Sequence, residues 1–218
     1  MIRTLTVALI LASLTACSRY DSRFSGGPEP RQTPYQSGPI PIGSWGIGPI
    51  RAATYFESPV IGDLFPNASV KDVTLRIAKD DTLDGITVTK DGVQLLELDD
   101  GLSSAPNGDD PLIGAVRAVG GPVVGPTGER LGMSWKASKF DLSQCEIGVD
   151  RDRNTVICAR PGVGSVTYYF AVPGWDSEEV PPDSMMRKGA YLKAIVWTPP
   201  PVPGAIPDPP DSSDSSSR

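Results

Sequence analysis

The stretch CEIGVDRDRNTVIC, residues 145–158, has the pattern of a β-hairpin closed by a disulfide. Apolar flanks surround a polar centre at residues 150–154, which is typical of two antiparallel strands joined by a turn. Cys145 and Cys158 are an even pair once Cys17 is assigned to a lipid, and an exported chain folds in an oxidising compartment. We therefore expect a disulfide between them, with Cα atoms about 5.5 Å apart.

The β-rich pattern continues on both sides of this hairpin. Two short helices are predicted. The first is amphipathic, with Ser58 as its N-cap and Pro59 as its first helical residue, and the second extends from Ser134 to about Phe140. Alternating or apolar runs, which predict strands, lie at residues 70–77, 86–89, 93–98, 113–119, 166–172 and 191–197. The sequence thus predicts a single α+β domain of mainly antiparallel sheet with two short helices, arranged as two similar helix-plus-four-strand halves.

Segments rich in proline, glycine and serine bound this domain, which we place at residues 46–198. Residues 17–45 are predicted to be a lipid anchor and flexible linker, because they contain few side chains able to build a core. Residues 199–218 are predicted to be a disordered tail. A proline-rich ligand for a partner protein is the alternative interpretation of this tail.

Residues 1–16 have the pattern of a signal peptide, with Arg3 before a short apolar run. That run is too short to span a bilayer, which needs roughly 20 apolar residues. Leu14-Thr15-Ala16-Cys17 then fits a lipobox better than an ordinary secretory cleavage site. We predict that Cys17 is lipidated and anchors the protein in a membrane. By resemblance to Gram-negative lipoproteins, Ser18 favours the periplasmic face of the outer membrane.

Composition argues against several classes of function. The chain holds 20 basic and 26 acidic residues, a formal net charge of −6, and no stretch of it is rich in basic residues. Nucleic acid is therefore not an expected partner. The chain contains no histidine, which removes the usual general base and the commonest transition-metal ligand. We expect no cofactor and no catalytic activity.

Three parts of the sequence carry a family resemblance. They are the glycine turn VVGPTGERLGMS at residues 123–134, the spacing of Cys145 and Cys158, and the strands at residues 165–175 and 192–197. These features resemble the RpoE-regulated lipoprotein family (YfeY-like), a Gram-negative envelope family of unknown function. The resemblance covers about residues 110–198, and the proline-rich tail departs from it. It implies an outer-membrane lipoprotein tied to envelope stress, and it brings no catalytic residues.

Acidic residues at turns are the candidate ligands for a metal ion. Asp150, Asp152 and Asn154 have the opening spacing of a calcium loop, but Thr155 and Pro161 stand where such a loop needs glycine and glutamate. A polar turn is the better interpretation. Turn chemistry and solubility also explain the remaining acidic groups, which are Asp80, Asp81 and Asp84, Asp99-Asp100, and Asp109-Asp110. We predict no metal site.

Two further features are candidate binding elements. Gly125-Pro126-Thr127-Gly128 offers backbone amides to an anion, but no Lys-Ser/Thr pair follows as in a phosphate loop, so a tight connection is favoured. In the C-terminal half, alternation should bury Tyr168 and Phe170 on one face and expose Tyr169, so part of this aromatic-rich half is expected to be core and part a surface that could bind a partner. The other aromatic residues of this half are Trp175, Tyr191 and Trp197.

Two functions remain at this point. The leading hypothesis is a non-catalytic outer-membrane lipoprotein that binds a periplasmic protein or cell-wall partner. The alternative is a hydrolase or transferase that acts on envelope material with a pair of carboxylates in a cleft.

Overall fold

The structure is a computed structural model that describes residues 32–104, 111–202 and 206–207. The predicted signal peptide, Cys17, Asp109-Asp110 and most of the predicted tail lie outside the described residues. Within the described residues, three α-helices and twelve strands follow one another in the chain, with short 3₁₀ helices at Leu142–Gln144 and Asp150–Asp152. In chain order they are β1 (Ile40–Gly43), β2 (Gly46–Ile47), α1 (Ser58–Leu64), β3 (Ser69–Arg76), β4 (Thr82–Lys90), β5 (Val93–Ser104), β6 (Pro111–Ala118), β7 (Val123–Val124), α2 (Trp135–Ser138), β8 (Cys145–Ile147), β9 (Thr155–Ala159), β10 (Val166–Ala171), α3 (Asp183–Gly189), β11 (Tyr191–Trp197) and β12 (Ile206–Pro207).

Most strands belong to one open antiparallel sheet with the order β3-β4-β5-β6-β11-β10-β9-β8. The first four of these strands are consecutive in the chain, and β6 pairs with β11 so that Arg117 lies opposite Val196. The short strand β12 adds to the end of β5. A second, small sheet has the order β2-β1-β7, in which β1 and β7 are parallel. The prediction of a mainly antiparallel, mainly-sheet domain is confirmed.

One face of the large sheet carries the hydrophobic core. Tyr168 and Phe170 project into it and are fully buried, as alternation predicts. Tyr169 lies on the opposite face but is half-buried rather than exposed, because the guanidinium of Arg117 packs over its ring. The helices cover this core face. The ring of Trp135 packs edge-on against Phe170 at 5.0 Å, and Phe140 lies 4.8 Å from Tyr168 between ring centroids. The small sheet contributes fully buried isoleucines to the same cluster.

The predicted hairpin is present, with β8 and β9 antiparallel and Cys145 directly opposite Cys158. A disulfide joins the two cysteines, whose Cα atoms are 4.1 Å apart. This separation is shorter than the 5.5 Å expected from sequence. It is closer to the roughly 4.5 Å of facing residues that exchange no backbone hydrogen bonds.

The packed domain begins earlier than the predicted boundary at residue 46. Ile40 and Ile42, inside the predicted linker, lie in β1 and are buried. Tyr35 is also ordered against the domain, since its N–H donates to the carbonyl oxygen of Leu64 at 2.8 Å and its ring lies 5.7 Å from Phe65. The prolines around Ile40 indicated a linker, but two alternating isoleucines suffice for a short buried strand.

The helices also differ in detail from the prediction. A third helix, α3, was not expected, and α2 ends at Ser138 because Lys139 adopts a left-handed backbone with φ of 56°. In α1, Ser58 is the first helical residue rather than the cap, and its hydroxyl donates to Asp72 at 2.6 Å. In the described part of the chain, no helix is long and apolar enough to cross a membrane.

Part of the predicted disordered tail pairs with the sheet. Ile206 lies opposite Ser104 and Pro207 opposite Ser103, so β12 extends β5. Strand β5 projects beyond β4, and its backbone groups there need partners. The composition of the tail gave no sign of this pairing.

Candidate functional site

The large sheet curls until its two ends meet. The N–H of Arg151, in the turn between β8 and β9, donates to the carbonyl oxygen of Ile77 just after β3, at 3.3 Å. These two segments belong to opposite ends of the strand order. The sheet face that points away from the core is therefore enclosed between the hairpin turn and the end of β3.

Local backbone geometry sets the shape of this hairpin turn. Asp150 and Asn154 adopt left-handed conformations with φ of 50° and 64°, which Asp and Asn tolerate better than most residues. The N–H of Gly148 donates to the carbonyl oxygen of Thr155 at 2.9 Å. A Cβ on Gly148 would collide with the carbonyl oxygen of Asp152. The polar residues predicted at the turn thus fold it back over the sheet.

A buried ion pair fastens the turn to the centre of the sheet. Both oxygens of Asp152 accept hydrogen bonds from the guanidinium of Arg117 on β6, one of them at 3.1 Å. Arg117 is buried, and its guanidinium also lies 4.4 Å from the ring centroid of Tyr169. Asp152, one of the residues with calcium-loop spacing, is thus paired with an arginine. Among the described residues, no group of three or more His, Cys, Asp or Glu side chains could hold a metal ion.

Three neighbouring cavities of about 1040, 510 and 320 Å³ surround this turn. They adjoin one another around the turn, because Arg76 and Arg151 line the first and third, while Arg153 lines the first and second. We call these three cavities together the basic groove. Its six cations face five acidic side chains, which are Glu97, Asp150, Asp152, Asp176 and Glu178; the cations are Arg76, Lys79, Arg117, Arg151, Arg153 and Lys193.

The largest cavity combines positive charge with apolar surface. Four of the six cations line it, against two acidic side chains, Asp150 and Glu178. Val149 lines it as well and is 68% exposed, the most exposed large hydrophobic residue of the described chain. A guanidinium presents a planar fork of donors that matches carboxylate and phosphate groups. The cavity therefore suits an anionic ligand with some apolar surface.

Ion pairs neutralise only some of these cations. Arg151 lies 3.9 Å from Glu97 and 3.8 Å from Asp152, and Arg153 lies 3.8 Å from Asp176 with both side chains well exposed. The exposed pair of Arg153 and Asp176 is weak and exchanges readily. The structure shows no ion pair with a described residue for Arg76, Lys79 or Lys193. These three remain available to a ligand.

One carboxyl group near the groove has a shifted pKa. Burial raises the pKa of Asp99 on β5 to about 6, although a hydrogen bond with the backbone of Ala115 and the charges of Arg151 and Arg117 act in the opposite direction. Glu97 lies two residues away on the same strand and lines the smallest cavity. Since alternate residues of a strand share a face, both carboxyl groups are on the groove side.

The glycine turn at residues 123–134 binds a carboxylate of its own chain. Glu129 is 2% exposed and accepts a hydrogen bond from the N–H of Thr127 at 3.0 Å. Arg160 donates to the same carboxylate at 2.7 Å and to the carbonyl oxygen of Ser138 at 2.6 Å. Gly125 leaves room for this group, because a Cβ there would lie 2.6 Å from Oε2 of Glu129. The turn is therefore a tight connection, as favoured from sequence.

Hydrogen bonding at this turn lowers the pKa of Glu129. Burial by itself raises that pKa, but hydrogen bonds from Thr127 and Arg160 outweigh it. Burial also raises the pKa of Tyr168, whose ring packs beside this pair, and the charge of Glu129 adds to the shift. These groups hold the core side of the sheet together and do not open into the basic groove.

Sequence analysis did not predict the basic groove. Its cations come from β3, β6, β11 and two turns, so no stretch of sequence is rich in them. Arg151 and Arg153 were visible only as part of a polar turn. The aromatic residues Trp175 and Tyr191 line the second cavity, and Tyr191 is 43% exposed. That exposure agrees with the expectation that part of the aromatic C-terminal half is surface.

The fold and the groove define a class: an α+β domain of mainly antiparallel sheet, with helices on one face and a basic groove on the other. The crystal structure of the uncharacterized protein YfeY from Escherichia coli is similar to this chain, with a TM-score of 0.56 and 15% sequence identity. The similarity covers 74% of this chain and 99% of that chain, and at this identity it shows the fold alone. The chain matches no family model. It also matches none of the curated proteins.

Proposed function

We propose that this chain is a non-catalytic outer-membrane lipoprotein of the bacterial envelope that binds an anionic periplasmic protein or cell-wall partner in its basic groove. The observation that carries the proposal is the largest cavity. It gathers four cations against two acidic side chains, together with an exposed valine, in a chain with a net charge of −6. Long side chains of like charge repel one another, so their convergence around an open cavity favours a ligand of opposite charge.

The cellular setting rests on the N-terminal sequence and on the family resemblance. Leu14-Thr15-Ala16-Cys17 supports lipid attachment at Cys17, and Ser18 supports the outer membrane. A fold shared with YfeY agrees with the resemblance to the RpoE-regulated lipoproteins, from which we infer a role in envelope stress. About 17 residues separate Cys17 from Tyr35, which already packs against the domain. An extended segment of that length reaches roughly 55 Å.

The two halves of the domain are proposed to be related by duplication. Support comes from the strand order, in which four strands of each half lie side by side and the last strands of the halves, β6 and β11, pair with each other. The groove lies across this junction, since Arg117 belongs to β6 and Lys193 to β11.

Site-specific photo-crosslinking in intact cells tests the binding function. A photoreactive residue replaces Ser177, which lines the largest cavity and is exposed. The control position is Lys136, exposed on α2 on the other side of the sheet. We expect a discrete adduct from Ser177 and none from Lys136. Equal labelling from both positions, or no adduct from Ser177, contradicts binding in the groove.

Two pairs of lysine variants sharpen this test. Lys79→Ser with Lys193→Ser removes two exposed groove cations, and Lys136→Ser with Lys188→Ser removes the same charge from the helices. If electrostatic attraction holds the partner, the first pair weakens the Ser177 adduct several-fold and the second leaves it unchanged. Equal losses in both pairs would indicate a general charge effect and contradict a specific groove.

A carboxylate-based hydrolase or transferase remains the second candidate function. Asp99 favours it, because a carboxyl whose pKa is about 6 is suited to general acid catalysis, and Glu97 shares its face. Incubation of the purified protein with cell-wall sacculi tests this candidate. Release of soluble fragments that Asp99→Asn abolishes and Asp84→Asn preserves would establish the enzyme. If no soluble fragments are released, the hydrolase candidate is contradicted and binding remains the proposed function.

A further inference from the structure

We propose that the second cavity of the basic groove, about 510 Å³ in volume, is a binding site for a saccharide that carries a carboxylate. This inference rests on the proposed binding function of the groove and names the chemical class of its ligand. Residues of β9, β10 and β11 line the cavity, and its volume is typical of small-molecule sites. Three features support the proposal: two aromatic side chains, a free amide, and a small excess of positive charge.

Trp175 forms a fixed aromatic wall of this cavity. Its backbone N–H donates to the carbonyl oxygen of Val172 at 3.2 Å, and its indole N–H donates to the carbonyl oxygen of Glu179 at 2.9 Å. The half-buried ring is therefore held in place before any ligand arrives, which lowers the entropic cost of binding. The face of an aromatic ring carries negative charge density, against which the C–H groups of a pyranose ring pack favourably.

Strand β11 places a second aromatic ring and a cation at the same cavity. Leu192 is fully buried in the core, so its neighbours Tyr191 and Lys193 point to the opposite face of the sheet, where both line the cavity. Tyr191 is 43% exposed, and its ring is therefore available to a ligand. A cavity that combines aromatic surface with a few polar groups is the usual lining of a small-molecule site.

Asn154 supplies a free amide to this cavity. Its backbone is left-handed, with φ of 64°, and its carbonyl oxygen accepts a hydrogen bond from the N–H of Val172 at 3.2 Å. Its exposed side chain lines the cavity and has no hydrogen-bond partner among the described residues. An amide both donates and accepts hydrogen bonds. The hydroxyl and acetamido groups of a sugar do the same, so Asn154 can form paired hydrogen bonds with them.

The charge of the lining favours a single carboxylate on the sugar. Two cations, Arg153 and Lys193, face one acidic side chain, Asp176. Arg153 lies 3.8 Å from Asp176 with both side chains well exposed, and such a pair is weak enough for Arg153 to turn to a ligand. A guanidinium matches the geometry of a carboxylate. The local excess of one positive charge is balanced by one carboxylate, whereas a doubly charged phosphate exceeds it.

Protein NMR with two matched sugars tests the site on the mature chain, made with Cys17→Ala so that it carries no lipid. The probes are N-acetylmuramic acid, which has a carboxylate, and N-acetylglucosamine, which has the same ring without one. We expect N-acetylmuramic acid to shift the indole N–H signal of Trp175 and the side-chain amide signal of Asn154, with a Kd in the millimolar range expected for so small a ligand. N-acetylglucosamine should bind several-fold more weakly.

Two tyrosine variants locate the binding site. Tyr191→Ala removes a ring that lines the cavity, and Tyr55→Ala removes a ring of similar exposure, 37%, that lies outside the lining of the three cavities. We expect Tyr191→Ala to weaken the binding of N-acetylmuramic acid several-fold and Tyr55→Ala to leave it unchanged. Asn154→Gly, which keeps the left-handed backbone without strain, should weaken it as well. Equal losses in the two tyrosine variants overturn the proposal.

Other ligands tell this site apart from less specific binding. Equal binding of lactate, a carboxylate without a sugar ring, shows an adventitious anion only and overturns the proposal. Tighter binding of N-acetylglucosamine 6-phosphate overturns the assignment of the carboxylate. A polyglutamate peptide that shifts the Trp175 signal when neither sugar does identifies a protein ligand and overturns the saccharide. Absence of any shift with N-acetylmuramic acid, at concentrations well above the millimolar range, overturns it too.

The photo-crosslink from Ser177 separates this inference from the proposed function, because Ser177 lines the largest cavity and not the second. An adduct from Ser177 without sugar binding overturns the saccharide site and leaves the binding function of the groove. Sugar binding that depends on Tyr191, without an adduct from Ser177, contradicts a partner in the largest cavity and supports the saccharide site. An adduct together with Tyr191-dependent sugar binding supports both.

Discussion

The guanidinium of Arg117 and the carboxylate of Asp152 form a bidentate pair that joins the centre of the sheet to the hairpin turn, across 35 positions of sequence. Both side chains are largely shielded from water, with 8% and 13% exposure. The pair holds the turn over the sheet and so defines the floor of the basic groove. It also places Arg151 and Arg153, which flank Asp152, on the rim.

Breaking this pair should be costly. Asp152→Ala leaves the buried charge of Arg117 without its partner, and we expect a loss of about 3 kcal/mol in the free energy of unfolding. Replacing both residues by leucine should cost less than the single substitution, because no unpaired charge is left in the interior. Urea unfolding of the single and double variants measures the difference. A double variant that is less stable than Asp152→Ala would show that the pair contributes chiefly through packing.

Gly125 should tolerate no side chain. An added Cβ would lie 2.6 Å from Oε2 of Glu129 and 3.2 Å from its Cβ, and Glu129 is fixed by Arg160 and Thr127. We expect Gly125→Ala to lose about 1–3 kcal/mol of stability through this overlap. Gly164→Ala is the matched control, since nothing lies within 4 Å of its added Cβ. Its stability should stay within about 0.5 kcal/mol of the parent chain. Equal losses would contradict the steric argument.

Asp99 should make stability depend on pH. Burial raises its pKa from 3.8 to about 6 in the folded chain, so the folded state holds the proton more tightly than the unfolded state. This carboxyl therefore supports folding at low pH, and the support is lost as pH rises from about 4 to 6. Asp99→Asn removes this pH-dependent loss of stability. After allowance for solvent screening, it should stabilise the protein by about 1 kcal/mol at pH 8 and hardly at all at pH 4.

Urea titrations of Asp99→Asn at the two pH values measure this effect. The exposed Asp84→Asn is the control, and we expect no pH-dependent difference from it. A stabilisation by Asp99→Asn that is equal at pH 4 and pH 8 would contradict a raised pKa at this position.

Much of the sheet was predictable because its strands carry a local signal. Alternation along residues 166–171 separates the buried Tyr168 from Tyr169 on the other face, and the cysteine spacing fixes the register of β8 and β9. Strand β1 and helix α3 were missed because each has too few buried apolar residues to show a period. Ile40 and Ile42 are only two apolar residues among prolines, and Met186 is the single fully buried residue of α3.

The basic groove could not be predicted for a different reason. Arg76 and Lys193 are far apart in sequence, and each by itself resembles an ordinary surface cation. The curl of the sheet brings them around one hairpin turn, and sequence periodicity does not report that curl. The pairing of Asp152 with Arg117 could not be predicted either. The sequence of the turn shows acidic residues, but it does not show that Arg117 faces one of them.

The anchor prediction concerns residues outside the described structure. Replacing Cys17 by Ala removes the only predicted lipid attachment site, and the acidic domain offers no obvious alternative contact with the bilayer. We expect the Cys17→Ala chain to move from the membrane fraction to the soluble periplasmic fraction. Ser18→Ala, next to it, should leave the protein in the membrane. Retention of Cys17→Ala in membranes would contradict lipid anchoring at this residue.

The disulfide between Cys145 and Cys158 should contribute to stability rather than to redox chemistry. It closes a loop with a sequence separation of 13, and a cross-link of this length stabilises by about 2–4 kcal/mol because it restricts the unfolded chain. Cys158 is buried against the core, so reductants have little access to it. We expect Cys145→Ser with Cys158→Ser to lower stability by that amount while keeping the fold.

A thiol assay on unfolded, non-reduced protein checks the bond itself. We expect no reactive thiol at Cys145 or Cys158, and two after reduction. The double serine variant should also loosen the turn that carries Arg151 and Arg153. The disulfide holds one end of the hairpin, and the Arg117–Asp152 pair holds the other. Hydrogen exchange at the amide of Arg151, which is bonded to Ile77, should then become faster. Two free thiols per chain before reduction would show that the hairpin forms without its disulfide.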